Sequence, residues 1–175
     1  MIPLRESKKY GENMKISLWI VLITLTSSVL FSHCQVPCGI YDDAARIKQI
    51  QEDITTIQKA MKNINELSNN KTVPQGLNQL VRWVNTKEEH AQHIQDVIMQ
   101  YFLAQRVKPK NVDDEGYTDY VSLTIFCQKI IFYAMKCKQN TEVSYSEILL
   151  KEVNLFIDSY FDDHGKLHLN ELMSK

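Results

Sequence analysis

Residues 42–67 read DDAARIKQIQEDITTIQKAMKNINEL. Within this stretch Ile47, Ile50, Ile54, Ile57, Met61, Ile64 and Leu67 recur at alternating steps of three and four. That is the period of one face of an α-helix, and no strand would show it. Asp42 or Asp43, just ahead of the first apolar position, supplies a natural N-cap. A helix with so long an apolar stripe cannot hide it alone, so the rest of the chain must provide partners.

Those partners are legible downstream. Ser68 to Gly76, with its Asn, Lys, Thr, Pro and Gly, reads as a connection, and its Asn70-Lys71-Thr72 is an N-glycosylation sequon, meaningful only in a eukaryotic secretory protein. A second helix carries Leu77, Leu80, Val84, Ala91, Ile94, Ile98 and Tyr101 and ends before Pro109. After a loop from Lys108 to Gly116, a third spans about Thr118 to Lys138 with Val121, Ile125, Ile130, Tyr133, Ala134 and Cys137. A fourth, about Tyr145 to Phe161, presents Leu149, Val153, Phe156 and Tyr160. Four such helices with short connections predict an all-α fold, a mostly up-and-down four-helix bundle over residues 42–175.

The rest of the C-terminal half suggests little chemistry. Cys127 and Cys137, ten apart on one helix, face different ways and read as buried free thiols. The segment from Asp162 to Glu171 has the look of a calcium loop. Aligning Gly165 with the required glycine puts Tyr160 at the first ligand position, which argues against calcium, so His164 and His168 read as part of a solvated tail. The whole chain of 175 residues is 44% hydrophobic and 23% charged with five glycines and four prolines, as expected of a single, mostly helical domain.

On the N-terminal side, Met14 and Lys15 precede an apolar run from Ile16 to Phe31 that ends in Ser32, the pattern of an export signal; Met1 and Met14 are alternative starts. Residues 1–32 are therefore read as an N-terminal extension and signal peptide, and the protein as exported to a periplasm, an endomembrane lumen or the exterior. Leu30 is not an ideal residue at the minus-three position and the run is long, so an uncleaved membrane anchor is the competing reading. Cleavage would leave 16 basic and 19 acidic residues, net −3 from −1, with no global basic field to suggest nucleic acid as a partner.

Between leader and bundle lies His33-Cys34-Gln35-Val36-Pro37-Cys38-Gly39-Ile40-Tyr41. Cleavage after Ser32 would place five potential metal donors within six residues: a terminal amine, the His33 imidazole, the Cys34 backbone nitrogen and the thiolates of Cys34 and Cys38. Nitrogen donors in a square plane with soft thiolates favour nickel or copper over zinc, calcium or magnesium. Two cysteines four apart in an exported chain also read as a small disulfide loop. The histidine directly before the first cysteine, the cleavage site before it and the P-C-G-x-Y continuation favour a metal hook. Pro37 stiffens that hook and Gly39 lets the chain turn away from it.

Residues 33–41 resemble the nickel hook of the nickel superoxide dismutases, H-C-x-x-P-C-G-x-Y at a mature N-terminus. The likeness extends through Tyr41-Asp42-Asp43, the segment from Asn78 to Ala91 and the segment from Tyr101 to Pro109; beyond about Asp113 it rests on helical pattern. The resemblance implies nickel, one ion per subunit, held in plane by the His33 amine, the Cys34 amide nitrogen and the thiolates of Cys34 and Cys38, with the His33 imidazole axial in the oxidised state. It further implies Ni(III)/Ni(II) cycling that converts superoxide to oxygen and hydrogen peroxide, Tyr41 beside the open axial face, and a homohexamer. Tyr101 is a second, weaker candidate for supplying protons. Gln35 stands where the commonest hook has an acidic residue. The family's supports for the axial imidazole, a glutamate on the first helix and an arginine on the second, have as nearest equivalents here Gln49 or Glu52 and His90; His90 and His93 read equally as ordinary polar-face residues. Two other classes compete: an exported helical-bundle interaction or structural protein with a Cys34–Cys38 disulfide, and a nickel or copper carrier without turnover.

Overall fold

The computed structural model describes residues 41–68 and 73–174. The described chain forms five helices and no strand: α1, Asp43–Leu67; α2, Pro74–Asp96, which continues without a break as a π-helical segment, Val97–Arg106; α3, Tyr117–Gln139; α4, Val143–Tyr160; and α5, Asp163–Met173. The all-α four-helix bundle read from the sequence is present as α1 to α4, with one helix added.

The helix starts follow from local chemistry. Asp42 is the N-cap of α1, its Oδ1 accepting the Ala45 amide at 2.9 Å, and so satisfies one of the donors left open at a helix start. Pro74 occupies the first turn of α2, where its missing amide hydrogen costs nothing. Gly116 precedes α3 at φ +76°, a left-handed conformation that suits glycine, and a Cβ there would also meet the Lys110 ammonium at 2.9 Å. Asp162 caps α5 by accepting the Gly165 amide at 2.7 Å.

α1 packs on α2, α4 and α5, while α3 lies between α2 and α4, which closes the ring of four. The stripe from Ile47 to Ile64 is buried in full and meets Ala91, Ile94 and Ile98 of α2, with Leu149, Val153 and Phe156 of α4 in the same core. Burying each such aliphatic side chain is worth about 1.5–3 kcal/mol. Phe102 sits at the centre of an aromatic group, edge-on to Tyr101, Phe156 and Tyr160 at centroid distances of 5.1, 5.0 and 5.5 Å. Lys87, buried on α2, donates its ammonium to the Cys137 carbonyl at 2.7 Å and to the Lys138 carbonyl, tying α2 to the C-terminal end of α3, where cations are favoured.

Three expectations are refined. On α3 the buried positions are Cys127, Ile130, Ala134 and Cys137, with Leu123 half-buried one turn earlier, so Ile125 is 45% exposed and off the stripe. On α2 the stripe holds from Ala91 onward, but Leu77 faces solvent. The segment after Asp162 is a helix rather than a solvated tail: Leu169 is buried, and the Leu172 carbonyl accepts from the Lys48 ammonium at 2.7 Å. Its histidines, His164 and His168, are exposed, as read. Cys127 and Cys137 are buried free thiols, their pKa pushed up to about 12 by burial, so neither carries appreciable thiolate at neutral pH.

Ile54→Ala should lower stability by about 2–5 kcal/mol through the cavity it leaves. Ile125→Ala should change it by less than about 1 kcal/mol. Urea unfolding of the two variants checks the corrected α3 register.

Candidate metal centre and its scaffold

Of the residues singled out from the sequence, His33, Cys34 and Cys38 lie outside the described residues, as do Asn70 and the leader. Tyr41 is the first described residue and marks where the hook joins the bundle. Its ring lies edge-on to Tyr101 at 5.8 Å, the Arg106 guanidinium carbon stands 4.5 Å from its ring centroid, and its hydroxyl donates to Gln105 Oε1 at 3.3 Å. An aromatic face against a guanidinium gains from cation–π attraction.

Beneath Tyr41, Asp43 gathers donors from the end of the π-helical segment and the end of α4. Its Oδ1 accepts the Tyr101 hydroxyl at 2.6 Å, and its Oδ2 accepts the Tyr160 hydroxyl at 2.7 Å and Arg106 Nη2 and Nε at 2.6 and 3.0 Å. Burial alone would raise the Asp43 pKa. The bonds from Arg106, Tyr101 and Tyr160, with the Arg106 charge, outweigh it and hold the carboxyl below its ordinary range. Burial, then the Asp43 bond and charge, push both tyrosine hydroxyls well above theirs. Arg106 is held more firmly protonated, first by its bond to Asp43. Tyr101 is thus a committed donor and a poor proton source, whereas the exposed Tyr41 has Gln105 as its hydroxyl partner among the described residues.

A cavity of about 340 Å³ opens beside this cluster, with Tyr41, Asp42, Arg106, His164 and His168 in its wall. His168 Nε2 lies 3.8 Å from Asp42 Oδ1.

Nearly three turns along α1 is a second polar cluster. Asp53, 6% exposed, accepts His90 Nδ1 on Oδ1 and His93 Nδ1 on Oδ2, each at 2.6 Å. Gln49 and Glu89 complete the wall of a cavity of about 290 Å³ there. Of the three candidates for supporting an axial imidazole, Gln49 and His90 share this cavity. Glu52 does not: it projects outward, 4.0 Å from the Lys48 ammonium. Reading His90 and His93 as simple polar-face residues misses their shared carboxylate.

Neither aspartate was singled out for its role, although each carries a signal. Asp43 falls four residues before Ile47, and Asp53 three after Ile50 and four before Ile57, so both sit on the apolar stripe. A carboxylate on a core-facing stripe needs partners. Among the described residues no group of three or more His, Cys, Asp or Glu side chains is arranged to hold a metal, and no helix is long and apolar enough to cross a membrane.

Fold and site together define a helical bundle whose first helix is the root of a short N-terminal segment rich in thiol and imidazole donors. The family model for nickel-containing superoxide dismutases matches residues 28–164, hook included, and the chain belongs to that family. It is a superoxide dismutase of the nickel type, an oxidoreductase whose metal is nickel and whose substrate is superoxide. No curated protein and no solved structure matches the chain.

Asp43→Asn should lose about 2–3 kcal/mol at pH 7, as a charge-assisted set of bonds is weakened. Because the folded pKa of Asp43 is depressed, its contribution is present above the unfolded value near ~3.9 and is lost as pH falls through the folded one. The variant should therefore lose less of its remaining stability than the parent between about pH 5 and pH 2, read by thermal unfolding across that range.

Proposed function

We propose that the protein disproportionates superoxide at a nickel ion, one per subunit, held by residues 33–38 after proteolysis between Ser32 and His33. The observation that carries this reading is the family match over residues 28–164 taken with the H-C-x-x-P-C-G-x-Y pattern at 33–41. The donor set fits the ion. Two thiolates, an amine, an ionised amide and an imidazole form a soft, nitrogen-rich set suited to square-planar nickel and unsuited to calcium or magnesium.

Bound there, nickel supplies the one-electron Ni(III)/Ni(II) couple that oxidises one superoxide to oxygen and reduces a second to peroxide. The chain's own residues do the rest. The His33 amine and imidazole, the Cys34 amide nitrogen and the Cys34 and Cys38 thiolates would hold the ion. Gln49 is the helix α1 side chain suited to hold the second imidazole nitrogen, because it faces a cavity shared with His90 while Glu52 points to solvent. Tyr41 borders the substrate's approach, its ring clamped by Arg106 and Tyr101 so that its hydroxyl keeps one position. Peroxide formation takes up two protons, and Tyr41, rather than the committed Tyr101, is the side chain to relay them.

The leader would deliver the chain to an exported compartment, and cleavage there would create the amine ligand, so maturation and metal binding depend on each other. The assembly proposed is a homohexamer.

Cys34→Ser or Cys38→Ser should abolish nickel binding and dismutase activity together, scored by elemental analysis and superoxide decay; activity surviving in either variant would refute the hook. An alanine inserted between Ser32 and His33 should do the same by displacing the amine, and N-terminal sequencing of the purified protein should begin at His33.

A further inference from the structure

The Asp53 cluster is built from side chains of α1 and α2. Its carboxylate is buried and accepts from two imidazoles at once, so both His90 and His93 carry their proton on Nδ1. In the neutral ring the lone pair then lies on Nε2. The rings themselves are more than a third exposed, at 36% and 38%, and border the cavity shared with Gln49 and Glu89. A histidine whose Nδ1–H is fixed by a carboxylate while Nε2 is left as an acceptor is arranged as metal-ligating histidines are, with the carboxylate fixing tautomer and raising basicity. Here one carboxylate prepares two such rings, three residues apart on one helical face.

We infer that His90 and His93 form a second metal site, binding a divalent late first-row ion such as nickel or zinc through their Nε2 atoms, with Asp53 as the carboxylate that orients both. The donor chemistry selects the ion: two neutral imidazoles suit nickel, copper and zinc, and calcium or magnesium would demand more oxygens than the cavity offers. Glu89 offers an oxygen donor on the same wall, and water completes the shell. The site is open rather than a closed cage, in keeping with the absence, among the described residues, of three such side chains already converging. The buried charge of Asp53 adds attraction for a cation. Such a site holds an exchangeable ion, and its loss is told apart from loss of the hook by testing it with the hook disabled.

The test uses the full chain with Cys34→Ser and Cys38→Ser, so that the hook is disabled, dialysed against nickel chloride or zinc chloride and assayed for retained metal. One ion per chain is expected. His90→Ala with His93→Ala should remove it, Asp53→Asn should weaken it about 10- to 100-fold, and His164→Ala with His168→Ala should leave it unchanged. Nickel should also broaden the ring proton resonances of His90 and His93 before those of the other histidines. If no ion is retained up to millimolar metal, or if it persists undiminished without His90 and His93, the cluster is a clamp between helices and the inference is overturned. Helical circular dichroism of each variant confirms that the fold is intact when binding is scored.

Discussion

Everything at the working end of the molecule hangs on one carboxylate. Asp43 begins α1, and its two oxygens take up four donor atoms from Tyr101, Arg106 and Tyr160. The start of the first helix, the end of the second and the end of the fourth are thereby held at one point. The desolvation cost of a partly buried carboxylate is met because both oxygens are satisfied, Oδ1 by Tyr101 and Oδ2 by Tyr160 and two nitrogens of the Arg106 guanidinium. The same Arg106 that pairs with Asp43 lies against Tyr41, so the junction between bundle and hook is a continuation of the anchor.

That anchor depends on the unusual end of α2. Over Val97–Arg106 the helix widens to π geometry, seen in the Val107 amide bonding to the Phe102 carbonyl five residues back. The buried positions are Val97 and Ile98, then Tyr101 and Phe102, and then Val107, five residues beyond Phe102. Arg106, in this last wide turn, reaches Asp43. π segments recur at functional sites, and this one lies directly beneath the residue where the hook begins.

The Asp53 cluster shows the same economy further along α1. Helix α1 contacts α2 mainly through its isoleucine stripe, and the two aspartates on that stripe are the polar exceptions, each answered by side chains of α2. Burying an ionised group without such an answer would cost several kcal/mol. The bundle tolerates these two because His90 and His93 in one case, and Arg106 with two tyrosines in the other, were available at matching heights along the axis.

How much of this was legible beforehand depended on the range of the interaction. The stripe of α1, the all-helical class and the Asp42 cap were readable because each is written in residues a few positions apart: a period of 3.6, or a side chain reaching its own backbone. The register of α3 was not, because its apolar residues outnumber one stripe, and only packing against α2 and α4 selects Ile130 over Ile125. α5 was missed for a related reason, since its weak pattern becomes a helix once Leu169 has α1 to bury against and Asp162 caps it. The roles of Asp43 and Asp53, the π widening of α2 and the meeting of Gln49 with His90 were decided only in three dimensions. Each depends on side chains brought together from 37 to 117 positions apart, and the free energy of such contacts comes from desolvation and shared geometry that a linear string of residues does not display.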